Sequence, residues 1–409
     1  MLKKLITLCA VQLLASPVFA SEENIAKRQS ATQQIEKLKE HIPVLELQKI
    51  VMEYIGNEYV PRMLDQVQIG KASQSQNGMY LIIVGYAEEN PYEGAKQKAK
   101  IWKFENGTYK LTHEVEVPII VDNVAISDDG KHIAFEVQAG WRSREIHIWQ
   151  LRNNTYVESQ IEKKLGYCNF LYLEFFGNGK MLGRATHGSI NVWQLSDKTH
   201  TFVRTRNFTN FDMDSAAFSS DGRYIAAGMN NDSISIWQPL QSDTTPFITL
   251  ENALGDQSRL PLQVTISPDG KQFAAKKTGV GLFRMKNNSI EPFPQRILIN
   301  EKYNTLYSIK FSPDSRYIAT VTLEWSTAYK TKIDIWKLNP KSLSYEKSAL
   351  ILSEDMDLIG FSPNNSIITV NNKNQLIIWK NQKEQLEQDT GEKIKSAHAQ
   401  EQTVVTEID

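Results

Sequence analysis

Short runs in which apolar and polar residues alternate recur along most of the chain, and each run ends on an aromatic residue. Residues 146–149 read Ile-His-Ile-Trp and residues 234–237 read Ile-Ser-Ile-Trp. A period of two predicts β-strands with one buried face. The aromatic position recurs at steps of 47, 44, 44, 46, 53 and 43 residues. It is occupied by Trp102, Trp149, Trp193, Trp237, Phe283, Trp336 and Trp379.

A second marker precedes each aromatic position. Residues 127–130, 219–222, 267–270 and 312–315 read SDDG, SSDG, SPDG and SPDS, and weaker copies occur at 77–78, 178–179 and 362–365. Asp-Gly or Asn-Gly between two alternating runs favours a β-hairpin, because both residues tolerate positive φ. The two markers together predict a hairpin followed by a third, aromatic-ended strand in each repeat.

Each repeat of about 45 residues has room for a fourth strand. The β-rich stretches at 108–111, 201–204 and 246–249 are candidates for it. Four short antiparallel strands per repeat are typical of a propeller blade. We therefore predict an all-β fold, a seven-bladed β-propeller of four-stranded antiparallel blades, over residues 63–381. An array of unrelated hairpins or a sandwich would not explain why both markers keep the same phase.

In these markers residues 63–380 resemble the WD-repeat propellers. The position after the aromatic, however, is Gln at 150, 194 and 238 and Lys at 103, 337 and 380, and the usual Gly-His dipeptide is absent. We therefore expect the aromatics to act mainly as apolar wedges between blades. The resemblance implies a non-catalytic protein-protein interaction scaffold. The periplasmic translocation propellers of the Tol system share the hairpin and are the second-ranked resemblance.

The first 20 residues have the layout of a secretory signal peptide. Lys3 and Lys4 precede an apolar run at 5–15, and Val-Phe-Ala at 18–20 forms a cleavage site. Cleavage after Ala20 predicts a periplasmic or secreted product without membrane insertion. An N-terminal membrane anchor or buried helix is the alternative, but the run is short for a span of ~30 Å.

Two segments outside the repeats differ from the repeats in their hydrophobic pattern. Residues 21–62 carry an apolar stripe at helical spacing, which predicts a short N-terminal helical segment. Residues 382–409 form a polar tail, and their alternating end at 403–408 is a possible strand. The last blade lacks a fourth strand directly after Trp379. Either residues 403–408 or a segment before Leu64 must close the ring, and we favour the N-terminal segment.

Charge and cysteine content narrow the classes of partner. Lys and Arg number 46 against 47 Asp and Glu. Removing residues 1–20 takes away two Lys and no acid, so the net charge becomes 44 minus 47, or -3. A balance this close to zero disfavours nucleic acid. Cys168 would then be the single cysteine, so no internal disulfide is expected. We predict a monomer that binds protein partners.

The sequence lacks the common catalytic motifs. The sequence contains no Gly-x-Ser-x-Gly and no His-Glu-x-x-His, and its seven His residues lack ligand spacing. No catalytic residue, metal or cofactor is therefore predicted. A propeller hydrolase or lyase, similar to a lactonase with its site in the central channel, is the alternative function.

Three longer segments interrupt the repeat between the second and third strand of a blade. Their aromatic and arginine side chains are the type that dominates protein interfaces, although each ring could instead pack on its own hairpin. The candidate binding residues are Tyr92, Trp141, Arg142, Arg144, Trp325 and Tyr329.

Overall fold

The computed structural model describes strands and turns between residues 59 and 381. The described ranges are 59–66, 70–85, 97–117, 121–140, 143–166, 170–209, 212–241, 245–255, 261–286, 289–293, 304–324, 330–354, 356–371 and 375–381. Their regular elements are all β-strands, and in them no helix is long and apolar enough to cross a membrane. The predicted signal peptide, the tail at 382–409 and residues 21–58 of the predicted helical segment lie outside these ranges. Residues 59–62, the end of that predicted segment, instead form the start of strand β1 (Tyr59–Gln66), so the propeller begins four residues earlier than predicted.

The strands form seven four-stranded sheets, and six of these use four consecutive strands. Blades 1 to 3 are β2–β5 (Lys71–Gln74, Tyr80–Val84, Gln97–Glu105, Thr108–Val117), β6–β9 (Val121–Ile126, His132–Gly140, Ser143–Arg152, Thr155–Gly166) and β10–β13 (Phe170–Phe176, Met181–Thr186, Ser189–Leu195, Phe202–Thr209). Blades 4 to 6 are β14–β17 (Met213–Phe218, Ile225–Met229, Ile234–Trp237, Ile248–Leu250), β18–β21 (Gln263–Ile266, Gln272–Lys276, Val280–Lys286, Ser289–Pro292) and β22–β25 (Asn304–Phe311, Tyr317–Glu324, Lys330–Asn339, Ser344–Glu354).

Blade 7 combines strands from both ends of the described chain. Its order is β1-β28-β27-β26, where β26 is Met356–Phe361, β27 is Ile367–Asn371, β28 is Gln375–Asn381 and β1 is Tyr59–Gln66. The outer position is therefore filled from the N-terminal side, as we favoured. The architecture is the predicted seven-bladed β-propeller of four-stranded antiparallel blades. Leu64–Leu376 form one compact unit, which contains the inner strand of every blade, including β26 of blade 7.

The Ser-x-Asp-Gly marker forms a turn of four residues. In blade 4 the Gly222 N–H donates to the Ser219 carbonyl over 2.9 Å. Ser219 Oγ donates to Asp221 Oδ1 over 2.8 Å and accepts the Tyr224 N–H over 2.9 Å. Gly222 has a φ of 76°, which explains the glycine. The same serine is buried in five further blades, at Ser75, Ser127, Ser267, Ser312 and Ser362.

The core lies between neighbouring blades, and the repeated aromatics are part of it. Trp193 of blade 3 packs with Ile146 and Ile148 of blade 2, and the ring of Trp237 in blade 4 lies 5.8 Å from that of Phe208 in blade 3. Trp193 and Trp237 are therefore buried in the apolar cores between blades.

The hydrogen bonding of the tryptophans differs from blade to blade. Trp336 Nε1 donates to Thr320 Oγ1 over 3.0 Å. By strand register, Arg184 takes the place of Thr320 in blade 3, and there Trp193 Nε1 has no partner among the described residues. Within the described ranges, the indole N–H is therefore hydrogen-bonded in blade 6 but not in blade 3.

Candidate functional site

The inner strands of the seven blades surround a central cavity of about 770 Å³. Each inner strand is the edge strand of its sheet. Residues from all seven of these strands line the cavity, which lies within Leu64–Leu376. A volume of this size lies in the range of small-molecule sites. The channel is therefore the candidate site that the described residues offer.

The turns that follow the inner strands meet across one end of the channel. Gln76 Nε2 of blade 1 donates to the Phe218 carbonyl of blade 4 over 2.8 Å. The Asn77 N–H donates to Asp128 Oδ1 of blade 2 over 2.9 Å. Gly78 approaches Pro313 of blade 6 so closely that an added Cβ would lie 2.9 Å from the proline ring. These contacts narrow the channel at this end, which we call the turn end.

The opposite end, where the inner strands begin, is the mouth of the channel. Tyr172 of β10 and Tyr307 of β22 line the cavity there and are 37% and 54% exposed. Lys71 and Asp357, at the starts of β2 and β26, are also exposed. The mouth therefore combines two aromatic rings with one charge of each sign.

Two ionisable side chains lie further inside the channel. Burial raises the pKa of the Glu174 carboxyl to about 7, although Lys310 and a hydrogen bond with Gln76 oppose this shift. Tyr172 and then Glu174 favour the charged ammonium of Lys310 and raise its pKa against the effect of burial. Lys310 Nζ lies 6.0 Å from the centre of the Tyr172 ring. A carboxyl with a pKa near 7 can exchange its proton at neutral pH.

Neither side chain was singled out by the sequence. Glu174 and Lys310 are single residues on strands of blades 3 and 6, and no motif surrounds them. Only the closed ring brings them to the same channel. In the part of the chain that the structure describes, no group of three or more His, Cys, Asp and Glu residues has the geometry of a metal site.

Five of the six candidate binding residues fall between the second and third strands of a blade, and the sixth lies on a third strand. These connections follow Val84, Gly140 and Glu324. Because strands alternate in direction within a blade, second strands end and third strands begin at the mouth end. Five of the six residues, and Cys168, lie outside the described ranges: Tyr92, Trp141, Arg142, Trp325 and Tyr329. Arg144 lies on β8, where it forms an ion pair with Asp122 of β6.

One stretch of the chain matches a known protein family. The model described as "WD domain, G-beta repeat" matches residues 202–238, which run from β13 to the end of β16. No curated protein matches the sequence.

Two solved structures share the fold. A chain of the crystal structure of the Mitotic Checkpoint Complex has a TM-score of 0.54 at 15% identity, over 78% of this chain and 90% of that chain. The Cps50 (Swd1) β-propeller domain of Myceliophteria thermophila has a TM-score of 0.56 at 9% identity, over 78% and 99%. Identities this low show the fold alone. The chain is thus a seven-bladed β-propeller that contains a matched WD domain, G-beta repeat.

Proposed function

We propose that this protein is an exported, non-catalytic scaffold that binds protein partners through the face at the mouth of the channel. The observation that supports the proposal best is the WD repeat match within a complete propeller, since such propellers are typical interaction platforms. One structure of similar fold is itself a chain of a protein complex.

The two faces of the ring differ in the chain segments that they present. At the turn end the connections between first and second strands are short and hydrogen-bonded to one another. At the mouth end the connections after Val84 and Glu324 are longer and contain aromatic residues. Loops on a rigid frame are the usual carriers of binding residues. We therefore assign the partner contacts to Tyr92, Trp141, Arg142, Trp325 and Tyr329.

Affinity purification from the native host, followed by mass spectrometry, tests this assignment. We expect the double variant Trp141→Ala, Trp325→Ala to recover at least about tenfold less of the partner than the wild type, because interface tryptophans commonly contribute 2 kcal/mol or more. Leu240→Ala is the matched control, since Leu240 is 62% exposed and follows a third strand at the turn end. Equal recovery by all three proteins would overturn the proposal.

Export is the second part of the proposal and has its own test. The intact mass of the protein from the native host should correspond to a chain that starts at Ser21. A mass that retains residues 1–20 would contradict cleavage while leaving the interaction proposal standing.

A channel hydrolase or lyase is the alternative function. The observation in its favour is the Glu174 carboxyl, whose pKa of about 7 suits an acid or base. Hydrolysis of lactones or esters by the wild type, lost in Glu174→Gln, would establish this alternative.

A further inference from the structure

Glu174 and Lys310 face the same cavity with opposite charge but without direct contact. In the described part of the chain no ion pair within 4.0 Å joins them. The Lys310 ammonium instead lies near the ring of Tyr172. A ligand that carries one positive and one negative group can therefore pair with both side chains and leave neither channel charge uncompensated.

The walls of the channel add a second requirement. Every inner strand is a sheet edge, and an edge presents a row of backbone N–H donors and C=O acceptors. A peptide backbone matches such a row, as in peptides that add a strand to an exposed sheet edge. A sugar would also find hydrogen bonds here, but it carries no charge that could pair with either side chain.

The mouth and the volume fit the same kind of ligand. Tyr172 and Tyr307 offer exposed ring faces at the entrance, and tyrosine rings contact both apolar side chains and ammonium groups well. The cavity of about 770 Å³ is of the size that holds drug-sized ligands. It is therefore larger than a single amino acid needs.

We propose that the channel binds a short peptide of two or three residues with free termini, its carboxylate toward Lys310 and its ammonium toward Glu174. The turn end, which Gln76 spans, limits how far the ligand enters. This site uses residues other than those assigned to protein partners. The two proposals can therefore fail independently.

Equilibrium dialysis of the full-length protein against a library of natural dipeptides and tripeptides, read by mass spectrometry, tests the proposal. We expect retention of free peptides at pH 7.5, and loss of retention when the same library is N-acetylated or C-amidated. Retention of the blocked libraries to the same extent, or no retention of any library, would overturn the proposal.

Variants then locate the bound peptide. We expect Lys310→Met and Glu174→Gln each to weaken binding of the best peptide by about tenfold or more, the usual loss for a charge-assisted hydrogen bond. Lys131→Met is the matched control, since Lys131 is an exposed lysine of the turn end whose side chain is 66% exposed. Circular dichroism identifies any variant that fails to fold.

The wild type provides a test that does not depend on a variant. Affinity should rise between pH 6 and pH 7.5, because Glu174 must be ionised to hold the peptide ammonium, and fall above about pH 8, where the peptide α-amino group loses its proton. The groups that act on Glu174 are Lys310, Gln76 and Asp128. Peptide affinity that is unchanged over this range would contradict the assigned orientation. The double variant Trp141→Ala, Trp325→Ala should retain full peptide binding.

Discussion

Two consecutive buried lysines of blade 5 have different polar partners. Lys277 forms an ion pair with Asp232 of blade 4. Lys276 is 6% exposed, and its Nζ donates a hydrogen bond of 2.6 Å to the Leu306 carbonyl of blade 6. A neutral carbonyl offsets burial less than a carboxylate does. Burial accordingly lowers the pKa of Lys276 to about 8.

We expect Lys276→Met to raise the free energy of unfolding at pH 7 by about 1 to 2 kcal/mol. Removing the charge relieves a penalty of about 3 kcal/mol, from 1.36 kcal/mol per pKa unit. The unpaired Leu306 carbonyl then costs about 1 to 2 kcal/mol. Urea unfolding of both proteins at pH 7 measures the difference.

The gain from Lys276→Met should shrink as the pH rises from about 8 to 10.5. In this window the unfolded lysine is protonated while the folded one is neutral, so the stability of the wild type rises with pH. Lys271→Met, at an exposed position of the same blade, serves as the control and should change little. A Lys276→Met protein that is less stable than the wild type at every pH would show that burial of the Lys276 charge does not destabilise the fold.

At the scale of strands and turns, the sequence predicts the repeat well because its signals are local. The turn at 219–222 and the strand ending at Trp237 lie where the two markers place them. The fourth strand of blade 4 was expected at 246–249 and is found at Ile248–Leu250. That strand has a weak alternation, so its limits depend on the register of pairing with β16 rather than on its own residues.

Sequence patterns fail where the ring brings distant residues together. Glu174 and Lys310 lie in different repeats, and each is the one charged residue of its inner strand. The buried pair of Glu136 and Arg184 is likewise split between blades 2 and 3. Such sites depend on tertiary geometry, which a periodicity of two does not encode.

Strand β1 carries the closure of blade 7, so its removal should affect stability strongly. We expect deletion of residues 59–66 to lower Tm by about 10 °C or more, because it leaves β28, with buried Ile378 and Trp379, as an unpaired edge. Differential scanning calorimetry measures the shift. Deletion of residues 402–409 is the control, and a larger loss in that variant would contradict closure by β1.

In the whole ring, blades 1 to 6 are held to their neighbours by apolar cores. Between blades 2 and 3 the interface also contains an ion pair. Arg184 Nε donates to Glu136 Oε1 over 2.8 Å, and both side chains are almost fully buried. Burial raises the pKa of Glu136, and the charge of Arg184 opposes this shift. The cost of desolvating the two charges therefore offsets much of their electrostatic attraction.

A double-mutant cycle separates the cost of breaking this pair from its net value. We expect Arg184→Met or Glu136→Leu alone to lower the free energy of unfolding by about 3 to 5 kcal/mol, because each leaves a buried group unpaired. The free energy of unfolding of the double variant should lie within about 1 to 2 kcal/mol of the wild-type value. Arg284→Met, which breaks the half-exposed pair with Glu291, is the control and should cost less than about 1 kcal/mol. Urea unfolding gives all values. If the two single effects simply add, Arg184 and Glu136 are not energetically coupled, which would contradict this expectation. A near-neutral double variant shows that the apolar core around Trp193 holds blades 2 and 3 together without the ion pair.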